Sequence, residues 1–325
     1  MRTRASWMLS WGRSLLLLLG LAVLAGPASG VTIDWAYVGN PGNAPDTPTN
    51  CAGMAADCGS VPYGYYVSKY EITNAQYAEF LNAVAEDDEP AFFAPTGIIR
   101  EGVSGSYAYT AAAGYANQPV GIWWDDAMRF ANWLNNGQGS ADTETGAYTL
   151  SPGPSENNVS VTRNDGAITF LASENEWYKA AYYDAALGIY YDYPTGSDVA
   201  PTCSTPTPTA NAAACGGATI ESGGVLGKVD VGSYPGSPSP YGTFDQGGNA
   251  VEWQDDVAAS VYYRVLRGGH WANSVSELSA TDTRGTLGTS ASRFLGFRVT
   301  STVPEPGTSL LVMIGLWGLA ARRRE

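Results

Sequence analysis

The chain contains the motif Gly247-Gly248-Asn249-Ala250-Val251-Glu252-Trp253. Downstream of it stand Arg264-Val265-Leu266-Arg267-Gly268-Gly269-His270-Trp271 and then Gly296-Phe297-Arg298-Val299. Short apolar runs bounded by glycine and asparagine indicate strands that end in tight turns. We expect one strand at Val265–Arg267 and another at Phe297–Thr300. This part of the chain therefore predicts short strands with long connections between them.

Upstream, the sequence predicts three helices. Thr73 and Gln76 form a T-x-x-Q capping box ahead of apolar residues at helical spacing. Ser173 and Glu176 form the equivalent S-x-x-E box. Between them, a helix is predicted from about Asp125 to Asn135, with Asp125 as its N-cap. Further strands are predicted at Trp35–Val38, Tyr65–Tyr70 and Ile168–Leu171. Few helices, short strands and long loops indicate an α+β fold.

Three more segments precede these motifs in a fixed order. They are Tyr70-Glu71-Ile72-Thr73-Asn74-Ala75-Gln76-Tyr77, Gln118-Pro119-Val120 through Trp133-Leu134, and Phe170-Leu171-Ala172-Ser173-Glu174-Asn175-Glu176-Trp177. Together the segments resemble the formylglycine-generating enzyme (sulfatase-modifying factor) family. The resemblance implies one domain over 31–301 with a loop-rich, C-type-lectin-like α+β fold.

The resemblance also implies a reaction class, from which this chain departs. Enzymes of the family oxidise a sulfatase cysteine to formylglycine with dioxygen and a copper ion held by two cysteines. Those two positions fall here on Asn273 and Leu278, and neither is a soft thiolate that holds Cu(I). A related branch uses mononuclear iron and several histidines, whereas this chain has only His270. Copper is not expected, and whether the protein is an enzyme stays open.

Catalytic residues are therefore not assigned, and the candidates are His270 and Arg284. A single histidine does not fill a coordination shell, so His270 is also consistent with a packed or hydrogen-bonded residue. A cluster of His270, Asn273 and Arg284 with acidic residues around a metal would favour an enzyme.

Calcium is the cofactor that the resemblance implies. Carried over by position, its ligands are Asp245, Gly248, Ala250 and Glu252, with the glycine and the alanine giving main-chain carbonyls. Calcium takes carboxylate and carbonyl oxygens in irregular loops, which suits this segment. In the alternative interpretation, Glu252 caps a turn or pairs with Arg267.

The four cysteines form two close pairs, Cys51 with Cys58 and Cys203 with Cys215. An even count in an exported chain favours disulfides, and local pairing is the simplest connectivity. A metal site is the competing interpretation. The bridge at Cys203 and bound cations are the natural means of holding the glycine- and proline-rich stretch from 192 to 244.

The first thirty residues read as a signal peptide. Arg2, Arg4 and Arg13 precede an apolar run, and the small residues at 28–30 suit signal peptidase. The alternative is an N-terminal membrane anchor, for which the run is short.

The segment 302–325 resembles a PEP-CTERM sorting signal. Pro304-Glu305-Pro306 is followed by an apolar run and then by Arg322-Arg323-Arg324. The resemblance implies recognition by an exosortase, removal of the tail, and display by a Gram-negative-type bacterium on its surface or in its extracellular matrix. The membrane is then contacted only through this transient segment. An ordinary tail anchor is the alternative.

The chain carries 17 basic and 31 acidic residues, a net charge of −14. The two terminal segments hold six of the basic and two of the acidic residues, so the body between them has a net charge near −18. Nucleic acid is not an expected partner, because phosphates need cationic groups.

These observations favour an exported binding module for a glycan or a protein, without the family's catalytic cysteine pair. The alternative is a formylglycine-type oxidoreductase that acts on a sulfatase cysteine or another substrate. A third possibility is a structural matrix protein without a specific ligand.

Overall fold

A computed structural model describes residues 30–47, 50–51, 58–86, 96–152, 158–220, 224, 227–258, 263–290 and 292–302. The signal peptide predicted at 1–30 and the sorting signal predicted at 302–325 lie outside the described residues, apart from the boundary residues 30 and 302. Within the described ranges, no helix is long and apolar enough to cross a membrane.

The described residues contain three α-helices: α1 (Asn74–Val84), α2 (Trp124–Asn135) and α3 (Glu174–Tyr182). Both predicted capping boxes are confirmed. The side chains of Thr73 and Ser173 accept hydrogen bonds from the backbone N–H groups three residues later, and the Gln76 and Glu176 side chains accept from the two cap N–H groups. Each box satisfies donors that the first turn of a helix leaves unpaired.

The prediction for α2 was wrong at its start. The helix begins one residue early, and the residue at the N-cap position is Trp123, which makes no side-chain cap hydrogen bond. Asp125 lies inside the first turn, where its carboxylate is 3.1 Å from the guanidinium of Arg129. The ion pair to the next turn competes with capping for the aspartate, and the acidic charge still suits the positive end of the helix dipole.

The part of the chain that the structure describes also has fourteen short strands: β1 (Trp35–Val38), β2 (Tyr65–Ser68), β3 (Ile98–Glu101), β4 (Ala108–Ala111), β5 (Thr169–Leu171), β6 (Tyr183–Asp184), β7 (Ile189–Tyr190), β8 (Thr202–Cys203), β9 (Ala212–Ala213), β10 (Val251–Val257), β11 (Tyr263–Arg267), β12 (Arg284–Leu287), β13 (Leu295–Phe297) and β14 (Val299–Ser301). Two four-stranded sheets have the orders β1-β2-β14-β5 and β12-β11-β10-β13, and three two-stranded ladders complete the set.

The second of these sheets brings together the motifs at 247–253, 264–271 and 296–299. Strand β10 pairs antiparallel with β11, where Glu252 lies opposite Arg267. On its other side β10 pairs parallel with β13, where Trp253 lies opposite Phe297. The loop that leaves β11 therefore lies at the same end of the sheet as the loops that enter β10, β12 and β13.

Aromatic side chains fill the core. Trp124, Trp177 and Trp253 are at most 1% exposed. Trp124 contacts Trp253, with ring centroids 6.1 Å apart. The rings tie the helices to the sheet, and removal of one such ring from a core typically lowers stability by about 3–5 kcal/mol.

A buried ionic network joins α3 to β10. Arg163 pairs with Glu176 and with Asp255, each at 2.9 Å. The other oxygen of Asp255, Oδ1, is buried without a hydrogen-bond partner within the described part of the chain. Burial raises the pKa of Asp255 to about 6, with further contributions from Asp256 and Glu176. This carboxylate is therefore held charged at neutral pH against an unfavourable environment.

We expect the stability of the protein to depend on the protonation of Asp255. Its pKa in the folded state lies above the unfolded value of about 4, so the folded state binds the proton more tightly. Through Asp255, the free energy of unfolding should therefore increase as pH falls below 7, by about 1–1.5 kcal/mol at pH 5 and by up to about 2–3 kcal/mol once the pH reaches the unfolded pKa near 4. Urea titrations across pH 5–7.5 should show that the free energy of unfolding depends differently on pH in the wild type and in Asp255→Asn. The same pH dependence in both proteins would contradict the assignment.

Candidate functional site

A cavity of about 270 Å³ opens beside the sheet β12-β11-β10-β13. Val251 and Leu295 belong to its apolar wall. The polar groups of its lining come from the β11–β12 connection, from β12 and from the loop after it: His270, Asn273, Arg284, Thr286, Ser290 and Ser292. The structure thus brings His270, Asn273 and Arg284 together, although they are spread over fifteen residues of sequence.

His270 is held between the cavity and an aromatic ring. Its imidazole stacks on Phe294, with centroids 4.4 Å apart and planes 18° apart. The backbone N–H of Ala272 donates to Nδ1 at 3.2 Å, which leaves the proton on Nε2. Burial lowers the pKa of His270, so the ring is neutral at pH 7. It therefore offers one hydrogen-bond donor, and in the described residues Nε2 has no partner.

The two positions that hold copper ligands in the family lie in different surroundings in this structure. Asn273 lines the cavity, and its Oδ1 accepts a hydrogen bond from the N–H of His270 at 2.8 Å. Its amide nitrogen remains as a donor. Leu278 lies outside the lining, completely buried in an apolar cluster with Ala213 and Cys215. An amide and a buried leucine do not fit a copper ion, which takes soft sulfur ligands.

Arg284 is neutralised by its neighbours. Its guanidinium lies 3.0 Å from a carboxylate oxygen of Glu277 and 3.0 Å from one of Asp282. With two acids for one base, this side of the cavity has no excess positive charge. Arg284 therefore does not make the cavity an anion site.

Behind the cavity, the segment predicted to bind calcium forms a buried charge cluster. Arg298 is 1% exposed and donates to both carboxylate oxygens of Glu252, at 2.9 and 3.0 Å. The indole N–H of Trp177 also donates to Glu252, at 2.8 Å. Burial raises the pKa of Glu71, and the nearby carboxylates of Asp245 and Glu252 raise it further.

These contacts bear on the predicted calcium ligands. In this arrangement Glu252 does not fit as a ligand, because the Arg298 guanidinium lies where a cation would have to approach. Asp245 accepts a hydrogen bond from the N–H of Gly232 at 2.6 Å, and the N–H of Ala250 donates to Glu71 at 2.9 Å. The N–H of Gly248 donates to the carbonyl of Gly268 at 2.8 Å, a contact between two separate segments. Calcium binding at this segment stays a prediction.

The alternative partner proposed for Glu252 was wrong. Arg267 lies opposite Glu252 on the neighbouring strand, but its guanidinium bonds to Glu174 at the start of α3, at 2.7 Å. The guanidinium of Arg267 also donates to the carbonyls of Ala280 and Asp282. Arg267 thereby holds the last residues of the β11–β12 connection.

Two disulfides, Cys51–Cys58 and Cys203–Cys215, confirm the local pairing and account for all four cysteines of the chain. The second bridge lies close to the cavity. Just after Cys215, the N–H of Gly216 donates to the carbonyl of Asn273 at 2.7 Å, and the N–H of Gly217 donates to that of Trp271 at 2.8 Å.

The family model for the sulfatase-modifying factor enzyme 1-like domain matches residues 46–303. The chain belongs to this family. A second model, for the PEP-CTERM protein-sorting motif, matches residues 302–324, which assigns the protein to exosortase-dependent export. Both resemblances drawn from the sequence motifs are thereby confirmed.

Solved structures support the fold. The crystal structure of CarF aligns with a TM-score of 0.57 at 18% identity, over 84% of this chain and 99% of that one. Treponema denticola variable protein 1 aligns with a TM-score of 0.51 at 17% identity, over 85% and 97% of the two chains. A search of curated proteins returned no match. The fold is thus the loop-rich, C-type-lectin-like α+β fold of the formylglycine-generating enzyme family.

Sequence reasoning missed the hydroxyl side of the cavity. Thr286, Ser290 and Ser292 were not singled out, although serine and threonine recur from 286 to 292 just before the closing Gly-Phe-Arg motif. Phe294, which fixes the histidine ring, was missed as well. A polar loop between two strands of one sheet was the available signal.

Proposed function

We propose that this protein is a surface or matrix binding module that takes a glycan in the cavity beside β12. One observation carries the proposal: of the two positions that correspond to the family's copper-binding cysteines, Asn273 lines the cavity with an amide, and Leu278 is a buried leucine outside the lining. The recognition surface is therefore built from hydrogen-bonding groups, an aromatic wall and no free thiol.

The cavity suits an uncharged, hydroxyl-rich ligand. His270 and Asn273 provide donors, while Thr286, Ser290 and Ser292 provide hydroxyls that donate or accept. Pockets that bury drug-sized ligands measure roughly 300–1,000 Å³, so 270 Å³ suits a smaller unit such as one sugar ring. The charge balance around Arg284 favours a neutral sugar over an anionic one.

The enzyme alternative depends on what the cavity can hold. The described residues include no group of three His, Cys, Asp or Glu side chains placed to hold a metal ion. An oxidoreductase at this site would need a ligand set that the chemistry of Asn273 and Leu278 does not supply.

We expect a neutral oligosaccharide, selected on a glycan array and measured by calorimetry, to bind Asn273→Ala about tenfold more weakly than the wild type. The reason is the loss of one buried hydrogen bond to the ligand, which contributes about 1–1.5 kcal/mol. Ser276→Ala is the matched control, since Ser276 is exposed in the same connection and does not line the cavity. It should bind like the wild type.

The same protein should be incubated with copper, dioxygen and a sulfatase-motif peptide whose cysteine is read by mass spectrometry. Conversion of that cysteine to the aldehyde would overturn the binding-module proposal. If no glycan on the array binds and a protein ligand binds at Asn273, the ligand of the cavity is a protein and not a glycan.

A further inference from the structure

We infer that the first sheet carries a second glycan-binding surface, the tyrosine surface, formed by Tyr37 and Tyr66 with Asn40. It lies on β1 and β2, in a different sheet from the cavity. Tyr37 and Tyr66 are cross-strand partners, and their ring centroids are 5.0 Å apart. Of the described aromatic side chains, Tyr37 has the largest exposed fraction, 56%.

Two glycines hold the ring of Tyr37 in place. A β-carbon at Gly64 would lie 2.5 Å from Oη of Tyr37, and one at Gly39 would lie 3.2 Å from its Cε1. Neither glycine has a positive φ, so close approach of the ring accounts for the absence of a side chain better than backbone conformation does. An exposed ring fixed before binding loses little conformational entropy when a ligand covers it.

Polar groups border the rings. The hydroxyl of Tyr241 donates to the carbonyl of Gly39 at 3.4 Å, and the exposed Asn40 follows directly in the chain. Asn40 has a left-handed backbone, with φ of 56°, and its carbonyl accepts a hydrogen bond from the buried ammonium of Lys179 at 2.8 Å. The amide of Asn40 is thus held beside the rings by a buried anchor.

This combination fits a sugar better than a protein. The apolar face of a pyranose covers an aromatic ring, and its hydroxyls reach the tyrosine hydroxyls and an amide at the rim. Two aromatic side chains bury at most about 150–250 Å² each, and here Tyr66 is already half-buried. The surface therefore falls short of the roughly 800 Å² per partner that a stable protein interface requires.

Charge selects the kind of glycan. The body of the protein has a net charge near −18, which disfavours a polyanionic chain. A neutral polysaccharide is the occupant that the surface fits. Because such a chain repeats one unit, it offers ligands to the tyrosine surface and to the cavity at once, and the second contact gains from effective concentration.

The test is affinity electrophoresis of the purified protein in native gels that contain xyloglucan, dextran or alginate. We expect at least one of the neutral polysaccharides to retard the wild type, with an affinity about tenfold lower for Tyr37→Ala. Gly64→Ala should weaken retardation similarly, because it displaces the ring without removing it. Tyr37→Phe, which keeps the ring, and Tyr263→Ala, a tyrosine 41% exposed on β11, should stay within about threefold of the wild type.

Several results would overturn the inference. The first is a Tyr37→Ala variant that is retarded as strongly as the wild type, and the second is an equal loss of polysaccharide affinity in Tyr37→Phe and Tyr37→Ala. The third is retardation of the wild type by alginate alone. The fourth is a tyrosine surface that binds a protein but no neutral polysaccharide. Asn273→Ala separates the two sites. If it alone removes retardation, the cavity is the glycan site and the tyrosine surface is not. If Tyr37→Ala alone removes it, the tyrosine surface stands and the proposed function of the cavity fails.

Discussion

Arg298→Met should lower the free energy of unfolding by about 3–5 kcal/mol or prevent folding altogether. Arg298 is the cation in contact with Glu252, and its guanidinium also donates to the carbonyls of Ser68, Lys69 and Phe244. Removal leaves a buried carboxylate without its cation and takes one donor from each of the three carbonyls, of which that of Lys69 keeps the N–H of Phe244. An uncompensated buried charge is among the most destabilising changes in a folded protein.

Acid should partly restore this variant. Burial raises the pKa of Glu71, of Asp245 and of Glu252, and Arg298 opposes the increase in each case. Without Arg298 these groups should take up protons at still higher pH in the folded state. A folded-state pKa above the unfolded value means that stability increases as pH falls. The urea midpoint of Arg298→Met should therefore move toward that of the wild type between pH 7 and pH 5.

Arg284→Met is the matched control for this experiment. Arg284 also pairs with two carboxylates, but its side chain is 43% exposed. Exposed ion pairs contribute about 0–1 kcal/mol, so this variant should unfold close to the wild type. Equal urea midpoints for the two variants at pH 7 would show that the buried cluster does not depend on Arg298 for its charge balance.

The contrast between Arg267 and Arg298 shows where sequence reasoning stops. Strand pairing places Glu252 opposite Arg267, so the neighbourhood was predictable from the two motifs. The partner was not, because Arg267 bonds to Glu174 on α3, while Glu252 pairs with Arg298, the residue between β13 and β14. That choice depends on how a helix and two strands pack, which no local spacing encodes.

The starts of α1 and α3 were predictable for the opposite reason. The boxes at Thr73 and Ser173 involve hydrogen bonds over three residues, and local sequence fixes them. For the site, motif alignment located Asn273 and Leu278 but gave no sign that one faces the cavity and the other an apolar cluster. A 3₁₀ turn over Val275–Leu278 lies shortly after Asn273 and ends at Leu278, and the two side chains leave it in different surroundings.

Replacing Cys203 and Cys215 together with alanine should weaken both the fold and the cavity. The bridge closes a loop with a sequence separation of 12, and loops of this length contribute about 3 kcal/mol of stability in the chain-entropy account. The stretch that it anchors has little other regular structure: β8 and β9 contribute two residues each. Urea titration and limited proteolysis near 203–215 would measure the loss.

The cavity should respond because the chain just beyond Cys215 supports it. Gly216 and Gly217 donate to the carbonyls of Asn273 and Trp271, so a loosened bridge frees the connection that positions the cavity amide. Cys51→Ala/Cys58→Ala is the matched control. That bridge belongs to a separate apolar cluster with Trp177 and Tyr178, and its loss should lower stability without a matching loss of cavity affinity. Equal effects of the two double variants on glycan affinity, measured well below both melting temperatures, would show that cavity affinity follows global stability and not the hydrogen bonds from Gly216 and Gly217.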